Sequence, residues 1–171
     1  MVPSIDMQLQ SVIKSLVDNV VPAVDPANKT ATEQVQLGIA ILNIVRDRLP
    51  LTRRFARAEL TDKIDVADRL TAALSASGIS DAANLKSLAA ASRALLLDPV
   101  CDTNNLERQS FALNNAISIA IANAQETESA SVVMDIVLSN SANHAWRLRS
   151  WFLAAGYEIN PRAIPAIEEL I

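Results

Sequence analysis

Few side chains in this chain are of a type that could do chemistry, and their spacing narrows the field further. His144 is the only His and Cys101 the only Cys. Together they cannot complete a protein-only structural zinc site, and one thiol cannot form an internal disulfide. A carboxylate-bridged di-metal centre in a helical bundle needs Glu-x-x-His pairs, so that both ligands reach one metal from successive turns. Position 141, where that Glu would stand before His144, is Ser141. The three glycines, Gly38, Gly78 and Gly156, are too dispersed for a phosphate-cradling loop, and no G-x-S-x-G elbow occurs. Cys101 lies in the run Asp98-Pro99-Val100-Cys101-Asp102, between carboxylates and without a basic neighbour to stabilise a thiolate, so it reads as an inert thiol. No cofactor is implied, and the absence of any catalytic set argues against an enzyme.

Two constellations remain. Val133, Val137, Asn140, His144, Leu148, Trp151 and Ala155 follow one another at steps of three and four, which places them on one face of a helix. Asn140 and His144 interrupt that otherwise apolar seam, with Arg147 at its edge. They could line a pocket between helices, with Trp151 as the apolar wall and His144 or Arg147 meeting a polar or anionic ligand. Against this stands the plainer expectation that His144 is a satisfied, partly buried histidine and Trp151 is core, which carries more weight because pockets are few in any protein. The second constellation is the arginine run Arg46, Arg48, Arg53, Arg54 and Arg57, which with Asp47 carries +4 in a chain of net charge −4. Guanidinium forks suit carboxylate and phosphate, so the run is a candidate anion or nucleic-acid docking site. Glu59, Asp62, Asp65 and Asp68 follow at once, however, and internal ion pairing is the stronger expectation. Nucleic acid is disfavoured by the overall acidity and by the lack of aromatic residues interleaved with the run.

The elements that must position these groups are helical. At 171 residues, half of them hydrophobic and only three of them Gly, the composition fits one all-helical domain spanning 1–171 with a sizeable core. The mean hydropathy of +0.20 is high for a small protein and suggests that some apolar surface is covered by a partner or a second copy. The start lacks the basic and apolar segments of a secretory signal, which together with the lone Cys predicts a cytoplasmic protein. The uncharged stretch 109–125 is interrupted by Asn114, Asn115, Ser118 and Asn123, so no membrane span is expected there.

Along the chain, Ser4 caps a first helix whose face is Ile5, Leu9, Val12, Ile13, Leu16 and Val20, loosened at its end by Pro22. Residues 25–50 predict a second helix, capped by Asp25 with Pro26 at its first position and stopped by Pro50. In it Lys29, Glu33, Gln36, Asn43 and Asp47 form one narrow polar line, and the apolar remainder, densest over 35–45, predicts a central helix enclosed on most sides. A third helix follows with the seam Ala56, Leu60, Ile64, Ala67, Thr71 and Leu74, split in two if Thr61 acts as a fresh cap, and ended by Gly78. Ser80 or Asp81 opens a fourth through Leu85, Leu88, Ala91, Leu95 and Leu96 to Asp98-Pro99. Asp102 or Thr103 caps a fifth with Leu106, Leu113, Ile117, Ala120 and Ala124 on one face. A single rod over 103–155 would be about 80 Å long, too long for this domain, so a break is expected in 126–131. A sixth helix ends at Gly156, and a short C-terminal helix over about 161–171 puts Ile164, Ile167 and Leu170 on one side.

Lys14-Ser15-Leu16 recurs as Lys86-Ser87-Leu88 and Asp25-Pro26 as Asp98-Pro99, a faint echo of two related three-helix units. The pair of helices over 11–49, with its Val-Val-Pro-Ala junction and Ile-Leu-Asn-Ile-Val-Arg ending, resembles small bacterial helical proteins of unknown function encoded beside acyl-CoA dehydrogenases. That resemblance implies no catalytic motif and no activity. The expected fold is thus an all-α, up-and-down bundle of five to seven helices with the second and fifth helices innermost. The leading functional expectation is a non-enzymatic protein that binds another protein or itself, with Ile164, Ile167, Leu170 and Ile171 as a candidate contact. A small-molecule site around Asn140, His144, Arg147 and Trp151 comes second, and anion docking on the arginine run third.

Overall fold

The computed structural model describes residues 2–76 and 81–171. The expected caps at Gly78 and Ser80 lie outside the described residues. The fold is all-α, with no strand among the described residues: α1 (Ile5–Ser15), α2 (Lys29–Arg48), α3 (Thr52–Ala76), α4 (Asp81–Leu97), α5 (Thr103–Ala124), α6 (Ala130–Trp151) and the single turn α7 (Ile167–Leu170). None of the described helices is long and apolar enough to cross a membrane. The chain divides into two compact units, residues 1–51 with 151–163, and residues 52–150 with 164–171.

The first unit is a helical hairpin. Ser4 Oγ accepts from the Met7 N–H at 3.2 Å, the expected N-cap. Asp6 in the first turn and Lys14 in the last complement the helix dipole. Pro22 offers no N–H to the carbonyl four residues back, and the chain beyond α1 adapts with a π-helical turn over Leu16–Val20 and a 3-10 turn over Val21–Ala23. The α2 cap is Asn28, not Asp25: Asn28 Oδ1 accepts from the Ala31 N–H at 3.1 Å, while Asp25 closes a preceding turn onto the Ala27 N–H at 2.9 Å. Arg46 near the end of α2 pairs with Asp6 near the start of α1 at 2.6 Å, which fixes the antiparallel alignment. Arg48 Nε donates to the Trp151 carbonyl at 3.1 Å and its guanidinium lies 5.8 Å from the Trp151 ring centroid.

The enclosed central helix is not observed. No residue of α2 is buried, and Leu37, Ile41 and Val45 are 44%, 50% and 43% exposed. One helix and a few short turns cannot cover an apolar surface that extends around most of a rod's circumference.

The core lies in the second unit, where α3, α4 and α5 pack on one another. Ala56, Leu60, Ile64, Ala67 and Leu74 are buried as the spacing predicts, joined by Val66 and Leu70. Thr61 starts no new helix. Its hydroxyl donates to the Arg57 carbonyl at 2.9 Å inside an unbroken α3. On α4 the buried set is Ala82, Leu85, Ala89 and Ser92, so the expected Ala91 is displaced to the surface. Ser92 Oγ donates to the Leu88 carbonyl at 2.7 Å and accepts from Gln109 at 3.0 Å, which satisfies a polar group inside the core. Asp102 caps α5 at 2.7 Å from the Asn105 N–H, and all five residues of the expected α5 seam are buried. The break before α6 falls at 125–129. The C-terminal segment reads as a 3-10 turn over Pro161–Ala163 and then α7, because Pro165 forbids one continuous helix. Ile164 and Ile167, offered above as a partner contact, are instead buried in the chain's own fold.

Candidate functional site

An open groove of about 730 Å³ runs between α3, α5 and α6 within the second unit. The edge of α3 just beside its buried seam supplies Phe55, Glu59, Asp62, Lys63 and Val66, spaced so that they share one side of the helix. Ser110, Phe111, Asn114, Ile117, Ser118 and Ile121 face it from α5, and Val137, Asn140 and His144 from α6. Aromatic and aliphatic residues therefore alternate with polar ones along the lining, and Glu59, Asp62, Lys63, Ser110 and His144 meet in one polar cluster.

That polar cluster is organised by Arg147. Its side chain is only 6% exposed, and Nη1 donates at 2.8 Å both to Glu59 Oε1 and to Asp62 Oδ2, while Nε donates to the Leu170 carbonyl at 3.1 Å. A buried guanidinium shared by two carboxylates is compensated, whereas either partner alone would not be. Glu59 Oε1 also meets His144 Nδ1 at 3.0 Å. Burial alone would push the Glu59 carboxyl up, but the hydrogen bonds from Arg147 and His144 outweigh it and hold the group below its ordinary value. Glu59 is thus ionised near neutral pH, and its Oε1 accepts from both Arg147 and His144 Nδ1.

Lys63 differs from its neighbours. Its ammonium donates to Ser110 Oγ at 2.7 Å, and Glu59 Oε2 stands 4.0 Å away, beyond hydrogen-bond reach. Burial lowers the Lys63 pKa below its ordinary value despite the attraction of Glu59 and Asp62. The groove thereby presents the Lys63 ammonium, the Ser110 hydroxyl, the His144 imidazole and the Asn140 amide beside its apolar lining, together with the carboxylates of Glu59, Asp62 and Glu107.

Of the residues expected on the α6 face, Asn140 and His144 come together in the groove. Arg147 stands behind it as a structural clamp, and Trp151 belongs to the other compact unit. The α6 face that is buried is Val133, Ile136, Arg147 and Ser150, while Leu148 is exposed and His144 is 47% exposed rather than core. Glu59, Lys63, Phe55 and Phe111 were outside the expected set. Their signal is the row of residues flanking each buried seam, where Phe55, Glu59, Asp62 and Val66 recur at steps of three and four.

The arginine run divides between the units, and every member is engaged. Arg46 holds Asp6 and Arg48 the Trp151 carbonyl in the first. In the second, Arg53 donates to the Pro99 carbonyl, Arg57 to the Leu96 carbonyl at 2.8 Å and Arg54 to the Ile171 carbonyl at 3.0 Å. The Leu96 carbonyl lies in the last turn of α4, at the negative end of the helix dipole, where the Arg57 cation closes it. An external anion would compete with all of these contacts.

Compared with family models, with curated proteins and with solved structures, the chain matches none.

Proposed function

We propose that the chain is a binding protein for a small amphiphilic molecule, taken up in the groove between α3, α5 and α6. The observation that carries this reading is the combination of aromatic and aliphatic lining with a polar cluster in one groove of about 730 Å³. Small-molecule sites measure roughly 300–1,000 Å³ and combine an apolar lining with a few convergent polar groups. Asn114→Trp, at an exposed lining position on α5, fills the groove without touching the core. Compounds that stabilise the protein in a thermal-shift screen of metabolites should lose their effect on Asn114→Trp while its own melting temperature stays unchanged. Hits that persist at full strength in that variant refute a groove site.

A second reading, association with a protein partner or a second copy, rests on a different observation. No residue of α1 or α2 is buried, and Ile5, Met7, Val12, Leu37, Ile41 and Val45 are all exposed. Exposed apolar patches of this kind mark interaction surfaces in soluble proteins. Light scattering across the micromolar range tests self-association: a mass that stays monomeric for the protein, and is the same for Ile41→Glu, removes that form of the reading.

A further inference from the structure

The charges around the groove do not balance. Arg147 holds Glu59 and Asp62 at 2.8 Å each, and Lys63 stands 4.0 Å from Glu59 as the second counter-charge of that pair. Two cations therefore meet two carboxylates, and the cluster is neutral within itself. Glu107 on α5 also lines the groove and adds a negative charge. Its carboxylate makes no ion pair or hydrogen bond with any of the described residues.

The neighbours of Glu107 are of a kind that suits a cation. Glu107, Phe111, Asn114 and Ser118 follow at steps of four, three and four along the exposed lip of α5, while Ser110, Ile117 and Ile121 line the same groove from more deeply buried positions. Phe111, one turn from Glu107, is 77% exposed, and Phe55 lines the groove from α3. The face of an aromatic ring attracts a cation, and a carboxylate beside it adds to that attraction. The same pair opposes an anion and is indifferent to a neutral head.

We propose that the groove selects an amphiphilic monocation, an organic ammonium with its head at the Glu107 carboxylate and the Phe111 ring and its apolar body along Val66, Ile117, Ile121 and Val137. The assignment rests on the groove reading above and adds the sign of the charge on the ligand. Glu59, Asp62 and Glu107 against Lys63 and Arg147 leave −1. A monocation brings that set to zero, whereas an anion takes it to −2. Glu107 is exposed, so water screens the pair and the preference is several-fold rather than of many decades.

The test compares octyltrimethylammonium, octanol and octanoate, below their micellar concentrations, by calorimetric titration and by methyl NMR shifts. The ammonium should bind about five times more tightly than octanol, as one exposed charge pair and one exposed ring contact together allow, and octanoate no more tightly than octanol. Glu107→Gln should remove most of the ammonium's advantage, and Phe111→Leu, which keeps an apolar side chain without the ring, part of it. Glu126→Gln removes the same charge at an exposed position outside the groove and should leave the advantage intact. The Val66, Ile117, Ile121 and Val137 methyls should shift with every probe that binds. Equal affinity for the ammonium and octanol, an advantage that survives Glu107→Gln, or one lost as much in Glu126→Gln, overturns the head-group assignment and leaves the groove reading standing. Shifts at the Leu37 and Ile41 methyls in place of the groove methyls, or no shift with any probe, overturn both.

Discussion

Helices α2 and α5 both carry long apolar runs, and their fates are opposite. Every residue of the α5 seam is buried between α3 and α4. No residue of α2 is buried at all. The contrast shows that apolar periodicity reports which side of a helix gains by leaving water, while whether a cover exists depends on how many neighbours the chain can bring to it. Three mutually packed helices close a core. A hairpin with short turns leaves the outer half of each rod wet.

The comparison can be tested by paired substitutions, of which the charged pair should differ most. Arg147→Ala leaves Glu59 and Asp62 uncompensated and should cost about 3–5 kcal/mol in urea unfolding, the usual penalty for breaking a buried pair. Arg46→Ala, which removes the exposed hairpin pair with Asp6, should be nearly silent. Equal losses would mean that the hairpin pair is as desolvated as the other. Leu113→Ala opens a cavity in the dry core and should cost about 2–5 kcal/mol, whereas Ile41→Ala on α2 should cost no more than about 1 kcal/mol. A large loss at Ile41 would show that this face is covered in solution, and so would favour the partner reading.

Acid provides a third comparison. Glu59 has its pKa depressed in the fold, so its contribution is fully present above the ordinary carboxylate value and is lost as pH falls through the folded value. Melting curves from pH 6 to 3 should therefore show the second unit weakening on the acid side, and Glu59→Gln should flatten that limb. Removing the carboxylate's charged hydrogen bonds should itself cost about 1.5–3 kcal/mol at neutral pH. An unchanged acid limb in Glu59→Gln would assign it to other carboxylates. The smallest effect should be at Lys63, and of opposite sign. A base whose pKa is lowered by burial weakens the fold while protonated, so Lys63→Met should leave the melting temperature unchanged or raise it by a degree or two, equivalent to a few tenths of a kcal/mol. A marked loss would make Lys63 a structural residue, its contacts with Ser110 and Glu59 outweighing the cost of its burial.

Much of the second unit could be read in the residues. The Ser4 and Asp102 caps, the α3 and α5 seams and the break before α6 follow from local chemistry and a period near 3.6, which do not depend on what lies opposite. The α2 start was misread because Asp25-Pro26 imitates a cap, while Asn28, three residues on, takes the role. The α6 face was misread by one position. A step from Val133 to Val137 is as helical as one from Val133 to Ile136, and only the placement of Glu59 and Asp62 on α3 decides that Arg147 turns inward. For the same reason Asn140 and His144 could be singled out on α6, whereas Glu59, Lys63 and Phe111 emerge as their companions only once α3 and α5 stand beside them.

The one thiol gives the molecule a built-in clock. Cys101 is buried in the turn between α4 and α5, its N–H on the Asp98 carbonyl, and the hairpin has no sulfhydryl of its own. A thiol-specific reagent will therefore label the protein only when the turn beneath it opens, so the rate of labelling times the breathing of the groove-bearing unit and ignores the hairpin. Any molecule that settles in the groove should slow that clock, whatever its chemical name.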